Sequence, residues 1–119
     1  MEHSNGAAFD TQLLKGVLDL AVLAVLAHQD SYGYDVLRRL RDSGLDGVGD
    51  ASVYGTLRRL HQAGVLKAYA VASDEGPHRK YYALNNRGRN VLDQSAKTWG
   101  SFTKALEKLL NGRSTSNAR

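Results

Sequence analysis

Residues 11–27, TQLLKGVLDLAVLAVLA, carry apolar side chains on nearly every side. A helix of that kind is covered on more than one face, so this segment is expected to form the central helix of the domain. After a polar break at 28–31 (HQDS), the pattern YGYDVLRRLRD predicts a second helix over 32–42. Val36, Leu37 and Leu40 then face inward, and Arg38, Arg39 and Arg41 face outward. Ser31 is placed to cap it, because its hydroxyl can accept an orphan N–H of the first turn. SGLDGVGD, 43–50, holds three glycines and two aspartates and reads as a turn. A third helix follows over 51–63, with Val53, Leu57 and Leu60 at i, i+4 and i+7 and Gly64 in a C-capping role. Its opposite face holds Ala51, Ser52, Gly55, Arg58, Arg59 and Gln62. That face is short-chained at its N-terminal end and basic further on, a shape that can enter a groove and grip its walls.

Alternation over 65–73 (VLKAYAVAS) predicts a strand, Asp74 to Pro77 a turn, and 80–84 (KYYAL) the returning strand. The basic residues His78, Arg79 and Lys80 fall near the hairpin tip, with Tyr81 and Tyr82 behind them as anchors, one ring inward and one outward. Asn85 can cap a last long helix, about 86–111. Leu92, Trp99, Phe102, Leu106 and Leu109 recur in steps of seven, three, four and three, a coiled-coil-like seam. The same residues could dock on the domain's own core. A helix this long overhangs so small a domain, however, so part of the seam stays wet unless a second chain covers it.

Helix, helix, glycine-rich turn, helix, hairpin, helix is the order of a winged helix-turn-helix, mainly α with a small β-hairpin. The third helix rests on the first two and presents its outer face, and the major groove of B-DNA is wide enough to admit it. A basic hairpin alongside would neutralise phosphates beside that groove. Charge agrees: 16 Lys+Arg stand against 12 Asp+Glu, for a net +4. The distribution is uneven, with residues 1–31 carrying −3 and the positive charge lying later. Such a balance hints at an anionic partner.

Several chemistries are disfavoured. The chain has no cysteine, hence no disulfide, thiolate metal site or Cys nucleophile, which fits a reducing cytoplasm. His3, His28, His61 and His78 show no metal-ligand spacing, so no metal is expected. Gly44, Gly47 and Gly49 lack dinucleotide-binding spacing and follow no strand. No nucleophile–base pair, carboxylate pair or cofactor loop is visible, so neither an enzyme nor a cofactor is expected. The polar start lacks a basic n-region ahead of an apolar stretch, so no signal peptide is expected. Leu13 to Ala27 carries Lys15 and Asp19 and is short for a bilayer span, so no membrane association is expected.

LLKGVLDLAVLAVLA (13–27), YGYDVLRRL (32–40), SVYGTLRRLHQAGVL (52–66) and GPHRKYYALNNRGR (76–89) together resemble the PadR-type transcriptional regulators. The resemblance covers about residues 12–110, and the ordered combination is more specific than any one piece. The chain departs from the family pattern at Gly55, where a proline is common in the recognition helix, at His61 or Gln62, where an acid is common, and at Asn85, where a threonine cap is common. Gly55 bears on local sequence preference; none of the departures removes the groove-facing surface.

The resemblance implies a DNA-binding repressor. Ala51, Ser52, Gly55, Arg58 and Arg59 would face the groove, Lys15, Tyr34 and the Tyr54 hydroxyl would meet the backbone, and His78, Arg79 and Lys80 would form the wing. It implies a homodimer built on Leu13, Leu14, Leu92, Trp99, Phe102, Leu106 and Leu109. TWGSFTKALEKLL (98–110) is similar to the short, multidrug-binding branch, which implies that Trp99, with Phe102, would stack on a planar aromatic effector at the dimer centre. The operator would be an inverted repeat with ATGT…ACAT-like ends and half-sites about 34 Å apart. The expected layout is an N-terminal arm over 1–10, a winged helix over 11–84, a dimerisation helix over 85–111 and a disordered tail over 112–119. Two alternatives stay open: a winged helix that binds an acidic protein instead of DNA, and a DNA-binding protein with no effector.

Overall fold

The computed structural model describes residues 17–118, with side chains through 112. The N-terminal arm, Leu13, Leu14 and Lys15 lie outside the described residues. Helix α1 is seen over 17–28 and is followed by β1 (Ser31–Tyr32), α2 (Gly33–Asp42), α3 (Asp50–Gln62), β2 (Leu66–Ser73), β3 (Gly76–Leu84) and α4 (Asn86–Ala118). The fold is mixed α+β: helices over a small antiparallel sheet of strand order β1-β3-β2.

The core forms where the inward stripes of the helices meet. Leu18, Val22, Leu23 and Leu26 of α1 pack with Val36, Leu37 and Leu40 of α2 and Val53, Leu57 and Leu60 of α3. Val65, Leu66 and Leu84 close it from the base of the hairpin. Thr56 is also buried, so the inward stripe of α3 is wider than its three aliphatic residues.

The ends of α2 and α3 have one cause. Gly44 and Gly64 both take positive φ, a conformation that costs glycine little. At the end of α2, the Gly44 and Leu45 amides donate to the carbonyls of Arg41 and Leu40 at 3.0 and 3.1 Å. At the end of α3, the Gly64 and Val65 amides donate to His61 and Leu60 at 3.0 and 3.2 Å. Both are Schellman closures, each sending the following apolar residue back toward the core.

Three features differ from the sequence expectation. Ser31 does not cap α2; Tyr32 holds that position with no side-chain capping bond, and Ser31 instead sits in β1. There its hydroxyl accepts from Arg39 Nη1 at 2.6 Å and donates to the Gln29 carbonyl at 3.4 Å. The returning strand starts at Gly76 rather than near residue 80. Register shifts between Val71, opposite Arg79, and Ser73, opposite Gly76. The resulting bulge accommodates Pro77, which can donate no ladder bond. Finally, α4 continues to Ala118 instead of ending near 111. Gly112 alone does not stop it, since a single glycine costs about 1 kcal/mol against alanine but leaves the backbone bond in place.

Asn85 fixes how α4 leaves the domain. Its Oδ1 accepts from the Gly88 amide at 2.8 Å, capping the helix, and its Nδ2 donates to the Gly64 carbonyl at 2.9 Å. Gly88 lies so close to the hairpin base that a Cβ there would stand 2.2 Å from the Val65 carbonyl oxygen.

Candidate nucleic-acid interface

The outer face of α3 is open. Ala51, Ser52, Tyr54, Arg58, Arg59 and Gln62 are exposed and Gly55 is half-buried, whereas the next residues around the helix belong to the core. A Cβ added at Gly55 would meet nothing within 4 Å, so packing inside the chain does not demand glycine there. Tyr54 rests on Gly33, where a Cβ would lie 2.3 Å from its ring. The glycine at the start of α2 is thus the floor under an exposed tyrosine of α3, and Tyr34, 57% exposed, follows that glycine in sequence.

The two arginines of α3 differ. Arg58 has no carboxylate partner among the described residues. Arg59 donates from Nη1 and Nη2 to both oxygens of Asp19 on α1, at 2.9 and 2.7 Å. Those hydrogen bonds raise the Arg59 pKa above its ordinary value. Leu18 and Asp19 of α1 and Ala51, Ser52, Gly55 and Arg59 of α3 line a shallow cleft of about 330 Å³ on this surface.

His78, Arg79 and Lys80 are exposed on β3, along the strand rather than on the turn. Alternation sends Arg79 and Tyr81 to one face and Lys80 and Tyr82 to the other. On the first face three tyrosines form a ladder: Tyr81 is 5.4 Å from Tyr32 and stacks on Tyr69 at 5.8 Å. The Arg79 guanidinium lies over the Tyr32 ring, 4.6 Å from its centroid. The Tyr69 hydroxyl donates to Asp30, and that bond raises its pKa above the ordinary tyrosine range. On the other face Tyr82 packs against the core, with His61 of α3 edge-on at 6.2 Å and Lys80 Nζ 5.4 Å from its centroid. His61 and Lys80 thus meet the same ring, which joins α3 to the wing.

The seam of α4 divides. Leu92 packs with Val91 against the domain's own core. Beyond it, Trp99, Phe102, Leu106 and Leu109 are exposed, as is Leu110, which the sequence reading did not single out. Trp99 and Phe102 are neighbours, ring centroids 5.7 Å apart. Among the described residues no group of three His, Asp or Glu could hold a metal ion, and no helix is long and apolar enough to cross a membrane.

Sequence reasoning missed β1 and with it Tyr32, the ring under Arg79. It also missed Asp19 as the partner of Arg59, although the 40-residue separation hides nothing about their chemistry. A lone acid in an otherwise apolar helix was the available signal.

The family described as "Transcriptional regulator PadR-like family" matches residues 22–94, from within α1 through the first turns of α4. The chain belongs to the PadR-like family of transcriptional regulators. It is similar to a PadR-like regulator from Bacillus cereus: 31% identity, 83% of this chain and 96% of that one, TM-score 0.75. A PadR family regulator from Eggerthella lenta is 27% identical over 92% of this chain and 95% of its own, with TM-score 0.81. Bacillus subtilis PadR, solved in complex with operator DNA, shares the fold at 21% identity and TM-score 0.62, over 67% of this chain and 46% of that one.

Proposed function

We propose that this protein is a sequence-reading DNA-binding repressor that acts as a homodimer on an inverted repeat and is released by a small planar aromatic effector. The observation that carries the reading is the contact of α3 with the wing: His61 of α3 and Lys80 of β3 meet the same Tyr82 ring, and Arg58 and Lys80 are both exposed. In this reading Ser52, Gly55 and Arg58 enter the major groove, with Ala51 and Tyr54 at its edge. Arg79, Lys80 and His78 meet adjacent phosphates, and Tyr34 and Lys15 contact the backbone. The family and the operator complex of the Bacillus subtilis relative support it.

The exposed stripe of α4 supports the dimer. Four large apolar residues on one helix are costly to leave in water, at about 25 cal/mol per Å² of apolar surface, and a second copy of the same stripe is a self-complementary cover. Trp99 and Phe102 fall within that stripe, so an aromatic effector would lie between the two copies and stack on indole.

The test is selection of bound duplexes from a random-sequence pool, followed by anisotropy titrations of the recovered sequences at two salt concentrations. An inverted repeat with one-turn spacing and a steep salt dependence is the expected result. Salt-sensitive binding without a motif would sink the sequence-reading claim, and no binding at low salt would favour a winged helix that contacts protein.

A further inference from the structure

We propose that Asp19 limits how tightly the α3 surface holds DNA, by keeping the Arg59 guanidinium paired and so withheld from phosphate. The inference rests on the DNA-binding reading above and names a control within it. Arg59 offers both Nη donors to the two Asp19 oxygens, at 2.9 and 2.7 Å. This is the two-pronged geometry with which arginine grips a phosphate, so the fork that would serve DNA is already engaged. The pair is not a buried lock. Its side chains are 58% and 50% exposed, and its carboxylate borders the same cleft as Ser52 and Gly55 of the reading face.

Two charges that cancel at this place have opposite consequences when separated. Without Asp19, Arg59 becomes a free cation one residue from Arg58. Without Arg59, Asp19 becomes a bare carboxylate on the surface that approaches phosphate, and it repels the duplex. The sign of each single substitution is therefore fixed, and the double neutral substitution restores the balance of the native pair.

The experiment compares wild type, Asp19→Asn, Arg59→Gln and the double variant on one selected operator and one random duplex. In D19N the slope of log affinity against log salt steepens by about 0.9, one added phosphate contact. The affinity lost between 50 and 200 mM salt then grows by about 3.5-fold. Random DNA gains as much as operator, so added affinity comes without added discrimination. R59Q binds more weakly than wild type, and the double variant returns to the wild-type slope. An unchanged slope in D19N, with or without a lower melting temperature, overturns the proposal and leaves the pair as a structural tie between α1 and α3. A steep slope that persists in the double variant overturns it equally. A double variant no tighter than R59Q does the same through a comparison that does not involve D19N. Wild-type protein that binds neither duplex at low salt is a different failure, that of the DNA-binding reading itself.

Discussion

At the scale of single residues, the wing is a set of cations with unequal support. Arg79 is held over Tyr32, while Tyr32 is fixed against Tyr81, its partner in the β1–β3 register. A guanidinium resting on a ring loses less rotamer freedom when it meets a phosphate than one projecting freely into water. Arg79→Ala is expected to weaken binding to every duplex and to flatten the salt slope by about 0.9. Tyr32→Leu should move affinity the same way by about 2–5-fold, from a cation–π contribution of about 0.5–1 kcal/mol, without changing the slope. Anisotropy titrations at several salt concentrations separate the two. The neighbouring Tyr69 reports on the same ladder through its ionisation. Its raised pKa means that what the Asp30 hydrogen bond contributes is fully present below the ordinary tyrosine value of about 10. It is lost as pH rises through the raised one. Asp30→Asn should therefore lower the alkaline titration midpoint of Tyr69, followed by ultraviolet difference absorbance; an unmoved midpoint would mean the bond is not made in solution.

At the scale of elements, legibility followed periodicity. The first helix announced itself by apolarity on nearly every side, and the others by an apolar stripe. The end at Gly64 was readable because only glycine meets its backbone requirement cheaply, whereas at 43–50 three glycines marked a turn without showing that Gly44 closes α2. β1 was not readable: two residues cannot show alternation, and Ser31–Tyr32 looks like the start of a helix. The early start of β3 was hidden for a related reason, since Pro77 argues against a strand until a bulge is known to be there. The outer face of α3 could be listed from helical geometry, but matching Asp19 to Arg59 rather than to Arg58 needs α1 in place. Gly55 permits a direct test of what this element is built for. Its Cβ would enter open space, so Gly55→Ala should stabilise the fold by about 1 kcal/mol, seen as a raised melting temperature. A simultaneous loss of operator affinity would mean that the glycine is kept for close approach to the duplex.

At the scale of the whole molecule, the unburied stripe of α4 is what the proposed dimer rests on. Leu109 is 71% exposed and Phe102 56%, on a helix whose core contacts among the described residues are Val91 and Leu92, near its first turns. Leu109→Asp is expected to shift the protein toward monomer in sedimentation velocity and to weaken operator binding by much more than it weakens binding to a half-site. Trp99→Ala should abolish effector response before it abolishes DNA binding, measured as operator affinity with and without a planar aromatic cation. A variant that stays dimeric when Leu109 is charged would place the interface elsewhere.

The joint at Asn85 has a mechanical meaning. One side chain grips the carbonyl that ends α3 and the amide that begins α4, and Gly88 lets the two backbones touch. There is no slack between them, and the helix that leaves this joint is 33 residues, about 50 Å of continuous rod. Such a rod is a lever whose fulcrum lies at the tail of α3: sliding its far end by about 4 Å turns the base by only about 5°. In the proposed repressor the winged head would need no internal rearrangement to answer an event at the far end, because it would be carried bodily. Separation of two heads on a rigid, one-turn-spaced ruler of DNA would be sensitive to so small a turn.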